Sequence, residues 1–190
     1  MKKIFLIIAS MFALAACVRE DMPSVKYPAV GDDEVLIEAS IVVPEMQDTR
    51  SFAAPAITSL HLLVFDENGY LIQVCDAEPV DSFGVATGIE YKYRVELGQS
   101  NYKRTIHLIA NSPITINADG TSAYRLGEHE RRVINTLYTE GGAEAYWARV
   151  VLENGIIGEQ AVQDGKAVFV PSAELKEALT RVPMVRNYTR

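Results

Sequence analysis

The chain has 190 residues, with 18 basic against 25 acidic side chains and a formal charge of −7. So acidic a surface excludes a nucleic-acid-binding role, because phosphate backbones demand a basic face. Hydrophobic residues make up 48% of the chain, enough at this length for one good core or two small ones.

The chain opens with Met1-Lys2-Lys3, a positive start, followed by the short apolar run Ile4 to Ala13. That run is too short to span a bilayer and has the build of a secretory signal. It ends in Leu14-Ala15-Ala16-Cys17, which resembles the bacterial lipobox, where small residues precede a cysteine that is acylated and becomes the mature N-terminus. The resemblance implies a signal peptide over 1–16, lipid on Cys17 and attachment to a membrane. Residues 17–34 then read as a lipid-anchored tether, charged and without periodicity, with Pro23, Pro28 and Gly31. Its Val18-Arg19-Glu20-Asp21 is similar to the acidic stretch that sends some Gram-negative lipoproteins to the outer face of the outer membrane. With Cys17 lipidated, Cys75 has no partner for an internal disulfide, so the fold must hold by packing. No His or basic residue lies near Cys75 in sequence, and it is expected as a small buried hydrophobe rather than a reactive thiol.

The first regular element is predicted over 35–43, where Val35, Ile37, Ala39, Ile41 and Val43 share one face at strand spacing. Pro44 and the polar and small residues up to Ala56 read as an exposed loop after an edge-type strand. Ile57 to Phe65 is predicted as a strand buried between two layers, being apolar on both faces after Leu60. Asp66-Glu67-Asn68-Gly69 is a hairpin turn, since Asn-Gly tolerates positive φ, and Tyr70 to Cys75 is the returning strand. A loop rich in Pro, Asp and Gly follows. Glu90 to Leu97 then alternates, with Tyr91, Tyr93, Val95 and Leu97 expected inward and Glu90, Lys92, Arg94 and Glu96 outward, and Arg104 to Ala110 is a further strand.

A helix is predicted at about 128–139, with Ser122 as a cap candidate ahead of it and Gly141-Gly142 as its stop. Tyr146 to Leu152 and Ala167 to Val170 read as strands, Ser172 to Thr180 as a short capped helix, and Pro183 to Tyr188 as extended. The pattern predicts a mainly β protein, an antiparallel β-sandwich of the transthyretin-like or Greek-key type with one or two short helices. Its core should include Ile37, Leu62, Val64, Phe65, Tyr93, Val95, Ile106 and Leu108.

The residues give no reason to expect an enzyme, a cofactor or a metal site. The three histidines, His61, His107 and His129, are dispersed, and the first two fall inside predicted strands, where a satisfied structural histidine is expected. His129-Glu130 would need a second histidine four residues on to make a zinc-protease motif, and Val133 stands there. No phosphate loop, dinucleotide fingerprint or nucleophile elbow is present.

The order of elements resembles the N-terminal domain of fimbrillin-like proteins, lipoprotein precursors of the type V pilus system. The likeness is carried by the acylated cysteine, the first strand, the loop holding Arg50, the segment Ile57 to Gly69, the strand at 104–110 running into Asn111, and Val182-Pro183-Met184-Val185-Arg186. It implies one fimbrillin-like N-terminal sandwich over 35–190, without the second β-sandwich domain and C-terminal donor strand of the family, so that the chain is expected to be a truncated product or the N-terminal part of a longer protein. It also implies a mechanism. A trypsin-like protease cuts between Arg50 and Ser51, tether and first strand leave together, and a strand from a neighbouring subunit fills the open edge by β-augmentation. The partners implied are a membrane, through lipid on Cys17, and other fimbrial subunits by strand exchange; the location implied is the cell outer membrane, and the fimbrium after processing. The alternative is a surface glycan-binding β-sandwich lipoprotein of a nutrient-uptake system, for which Trp147 with Tyr146 is the candidate sugar platform.

Overall fold

The computed structural model describes residues 34–44, 56–85, 88–112, 125–163 and 166–187. Residues 1–33, which hold the expected signal peptide, Cys17 and the expected tether up to Asp33, lie outside the described residues, as do Arg50, Ser51 and the Ser122 cap candidate. Glu34, expected to end the tether, opens the first strand instead. Among the described residues, eleven strands and two helices follow in chain order. They are β1 (Glu34–Val43), β2 (Leu60–Phe65), β3 (Leu71–Asp76), β4 (Glu78–Val85), β5 (Gly88–Gly98), β6 (Arg104–Ala110), α1 (Glu130–Glu140), β7 (Tyr146–Leu152), β8 (Gly158–Gln163), β9 (Lys166–Pro171), α2 (Ala173–Ala178), β10 (Val182–Pro183) and β11 (Val185–Arg186).

Two sheets face each other, one in the order β10-β1-β5-β4 and one in the order β11-β7-β6-β2-β3, with β8-β9 as a separate hairpin. Pairing is antiparallel except between β1 and β10. The chain is therefore mainly β, a sandwich with two short helices, as the periodicity predicts. The chain changes sheet from β3 to β4 through Ala77, and again from β10 to β11 through Met184, whose N–H donates to the Val42 carbonyl at 2.9 Å. Val182-Pro183-Met184-Val185-Arg186 is thus a stitch, with its first part on β1, its last on β7 and Met184 buried between.

Alternation explains the core. The space between the sheets is filled by Val35, Ile37 and Ile41 of β1, Leu62 and Val64 of β2, Tyr93, Val95 and Leu97 of β5, Ile106 and Leu108 of β6, and Tyr146 of β7. On the opposite face of β2, Leu63 and Phe65 meet Leu71, Ile109 and the helix residues Val133 and Leu137 in a second cluster. This is why β2 is apolar on both faces: its second layer is α1. Phe65, expected in the same core as Val64, belongs to that second cluster, since neighbouring strand residues face opposite ways.

Several boundaries differ from expectation for local reasons. β2 begins at Leu60 rather than Ile57, because the Thr58 N–H donates to the Asn111 side chain at 2.8 Å instead of to a ladder. The stretch expected as a loop after β3 contains β4, an edge strand exposed along most of its length and bulged between Pro79 and Asp81, so it carries no apolar alternation. β8 was equally invisible, in a hairpin that leaves Val162 and Phe169 exposed. Glu90, expected outward in solvent, is buried, because Arg181 lies over it with Nε 2.8 Å from its carboxylate. α1 starts two residues late because His129 is its N-cap, Nδ1 accepting from the Arg131 N–H at 3.2 Å. The turn at 66–69 forms as expected, with Gly69 at φ 82 and Asp66 Oδ1 accepting from the backbones of Asn68 and Tyr70.

Val64 is fully buried and faces the opposite sheet. Val64→Asp places an unpaired charge there and is expected to abolish the cooperative thermal transition in circular dichroism, a loss of several kcal/mol. Retention of a wild-type transition would contradict this packing.

Candidate functional site

The functional question turns on how β1 is seated. All ten of its residues pair with β5, from Glu34 opposite Gly98 to Val43 opposite Ile89. Val35, Ile37 and Ile41 are fully buried, and Val43 is 1% exposed. At about 1.5–3 kcal/mol for each buried aliphatic side chain, these four contribute about 6–12 kcal/mol as an upper bound. That is comparable to the whole stability of a domain of this size, about 5–15 kcal/mol. The Arg94–Glu38 pair across β1 and β5, at 2.8 Å, is exposed at both ends and adds little.

β1 has the edge-type position that its sequence suggests. β5 takes one side along its length, while on the other side the two-residue β10 pairs only at Ile41 and Val42; β4 forms the opposite edge of the sheet. The Ser40 N–H donates to the Leu179 carbonyl at 2.9 Å, and the Ser40 hydroxyl accepts from the Arg181 N–H at 2.8 Å. The register is fixed at the far end by Gly88, at φ +147, where a Cβ would run into the Val43 carbonyl.

Where the described chain resumes at Ala56, it is held by Asn111, the residue that follows β6. Its φ of 54 puts it in the left-handed region, which Asn tolerates better than most residues. From there Oδ1 accepts from the Thr58 N–H at 2.8 Å and from the Thr58 hydroxyl at 3.1 Å, while Nδ2 donates to the Ala56 carbonyl at 2.9 Å. Asn111 therefore clamps the point at which the chain re-enters the sandwich. Beside it lies a cleft of about 520 Å³ lined by Ile57, Thr58, Pro79, Ser82, Tyr91 and Tyr93 among others.

Each of the three histidines is bonded within the fold, His129 as the cap of α1. His61 Nδ1 meets Asp76 Oδ1 at 2.6 Å across the β2–β3 pair. His107 is fully buried under α1, with Nε2 2.7 Å from Glu130 Oε1, and the same oxygen accepts from Arg149 Nε at 2.6 Å. Phe65 meets the His107 ring edge-on and Trp147 stacks on it, with centroids 5.1 and 5.9 Å away. Burial holds the His107 imidazole below the ordinary histidine range, against the pull of Glu130. Burial works to raise the Glu130 carboxyl, but hydrogen bonds from Arg149 and His107 hold it below its usual value. At neutral pH the pair is a neutral imidazole donating from Nε2 to a carboxylate.

Cys75 is partly buried against the core, and burial, with Glu34, Asp76 and Glu96 adding to it, pushes its thiol up to about 12. It is a packing residue and a poor nucleophile. The paired sugar platform does not form: Tyr146 is fully buried in the inter-sheet core, and Trp147 is half-buried against His107 with Tyr138 at its edge. No group of three or more His, Cys, Asp or Glu side chains is placed to hold a metal among the described residues. Sequence reasoning missed Glu90, Arg181 and the clamp role of Asn111. Only Asn111, placed just after a strand and able to adopt positive φ, left a signal.

No family model matches the chain. No curated protein matches it either. Among solved structures it is similar to a fimbrial assembly protein from Parabacteroides distasonis ATCC 8503, with 16% identity and a TM-score of 0.39, over 81% of this chain and 54% of that one. The chain thus spans about half the length of that protein.

Two outcomes are expected of these residues. Asn111→Gly keeps the backbone conformation but loses the side-chain bonds to Ala56 and Thr58, and should lower stability by about 1–3 kcal/mol in urea titration. Protease sensitivity ahead of Leu60 should rise with it. The unfolded chain binds a proton at His107 near pH 6.5, whereas the fold resists it, so stability is fully present above that pH and falls as pH drops through the depressed folded value. Loss of the Glu130 contribution follows at lower pH, below the ordinary carboxylate range. Thermal melting against pH should show the first loss in the native chain and not in His107→Phe.

Proposed function

We propose that the chain is a fimbrial structural or accessory subunit with a structural rather than a catalytic role. In this reading it is exported as a lipoprotein through Cys17 to the outer membrane surface. It is then processed after Arg50, so that β1 can be exchanged for a strand of a neighbouring subunit. The observation that carries the reading is the seat of β1, which is paired residue by residue with β5 and fills one flank of the core. Its covalent link onward runs through residues 44–56, and Arg50 lies on that link. A cut there leaves β1 held by non-covalent contacts alone. Its departure would strip about 6–12 kcal/mol of apolar burial and open the backbone edge of β5, so the remaining sandwich needs a replacement strand to stay folded. A strand with the same apolar alternation meets that need, because a one-residue slip would turn its apolar face to water. The Asn111 clamp at Ala56 and Thr58 supports the same reading, since it anchors the chain a few residues beyond the new N-terminus at Ser51. The membrane is the partner before the cut, and other fimbrial subunits are the partners after it.

Low-dose trypsin should release a fragment beginning at Ser51, read by N-terminal sequencing, and Arg50→Ala should abolish that product. A synthetic peptide matching residues 33–45 should keep the cut protein monomeric in light scattering, and a scrambled peptide should not. The reading fails if Arg50→Ala leaves both processing and fimbrial assembly unchanged in the native host.

A further inference from the structure

A second strand-accepting edge is already present in the uncut chain, on the opposite sheet from β5. β7 pairs with β6 along its whole length, Tyr146 opposite Ala110 through Leu152 opposite Arg104. Its other side is taken by β11 only at Tyr146 and Trp147, because the chain turns away at Met184 to reach β1. Among the described residues, no strand pairs with that side of Ala148–Val151. An unpaired edge of this kind is normally covered; this one borders a cleft of about 420 Å³, lined by Trp147, Arg149 and Val150 of β7, and by Thr180, Arg181 and Pro183.

The charge around the cleft selects its occupant. In a chain of net charge −7, none of the cleft-lining residues is acidic, and Arg149 and Arg181 are both among them. Each guanidinium is held through Nε by a carboxylate of the chain, Arg149 on Glu130 and Arg181 on Glu90, and among the described residues its two Nη groups make no further bond. Arg181 is further held at φ 56, an uncommon conformation for an arginine, by the bond from its N–H to Ser40. Val185, 56% exposed, ends the groove with an apolar surface.

We infer that the free edge of β7 binds an extended peptide segment of a partner protein by backbone pairing. Alternate side chains of that segment turn into the cleft, where its carboxylates lie between Arg149 and Arg181, and its apolar side chains take the opposite face. The site does not depend on cleavage after Arg50, and its failure would leave the exchange of β1 untouched.

Trp147, the sole tryptophan of the chain, lines the cleft and reports on it directly. The intact chain is titrated with the capped peptide Val-Glu-Val-Glu-Val, with Val-Lys-Val-Lys-Val, and with a backbone N-methylated form of the first. A saturable change in Trp147 fluorescence is expected with the glutamate peptide, at least about tenfold weaker with the lysine peptide and with the N-methylated one. Arg149→Gln and Arg181→Gln should each weaken binding several-fold at unchanged circular dichroism. If either variant loses its fold, high ionic strength applied to the native chain tests the same charge contribution and should weaken binding. Absence of a saturable signal, or equal binding of the glutamate, lysine and N-methylated peptides, overturns the proposal.

Discussion

The constraint on which the sandwich depends is the burial of one apolar face of β1 against the opposite sheet. Val35, Ile37, Ile41 and Val43 occupy one flank of the inter-sheet space, and the side chains of β5 beside them and of β2, β6 and β7 opposite complete it. A sandwich cannot leave such a flank open, because an unfilled groove loses both transfer free energy and packing contacts. The other devices around β1 follow from the need to fill that flank in one register. Gly88 lets the backbone of β5 approach the Val43 carbonyl, Ser40 receives the chain leaving α2, and Met184 crosses between the sheets at the end of the strand. A long β1–β5 pair and a short β1–β10 pair together hold a strand tightly without threading it through the fold.

The second layer is organised by a different force. α1 covers the outer face of β2 and β6 with only Val133 and Leu137 fully buried, a small apolar contact for an eleven-residue helix. Its N-terminus is tied by polar contacts instead. The Glu130 N–H donates to the Gly69 carbonyl, the Leu71 N–H to the Glu128 carbonyl, and Glu130 joins His107 to Arg149 beneath the helix. Its C-terminal end is held by Asn187, whose Nδ2 donates to the Leu137 and Gly142 carbonyls. Hydrogen bonds aimed at the two ends thus do much of the positioning that a broader apolar face would do elsewhere.

Where one side of a strand is buried and the other wet, the sequence was legible: β1, β5 and β7 show period-two alternation, and β2 shows its double burial as an unbroken apolar run. The turn at Asp66–Gly69 and the Ser172 cap of α2, whose Oγ accepts from the Leu175 N–H, were equally readable because their chemistry is local. β4 and β8 were not, since their partners supply the pairing while their own side chains stay largely in water. Glu90 was misread for a related reason: alternation tells which face a side chain takes, but not that Arg181, 91 residues on, will cover that face. Of the candidate site, the first strand could be seen from its pattern, whereas its flanking by β10 depends on a dipeptide too short to show any period.

The antiparallel pairing of β1 with β5 also sets how the fold bears mechanical load. A pull applied through the chain ahead of Glu34, along the axis of β1 and against a sandwich held elsewhere, bears on the whole β1–β5 ladder in shear rather than peeling it one bond at a time. The hydrogen bonds of ten residue pairs must then yield together, with the apolar side chains sliding out of the core in the same step. The same strand pulled sideways from its end would unzip progressively. The sandwich is therefore strong in one direction and weak in another, and that anisotropy resides in the orientation of a single strand.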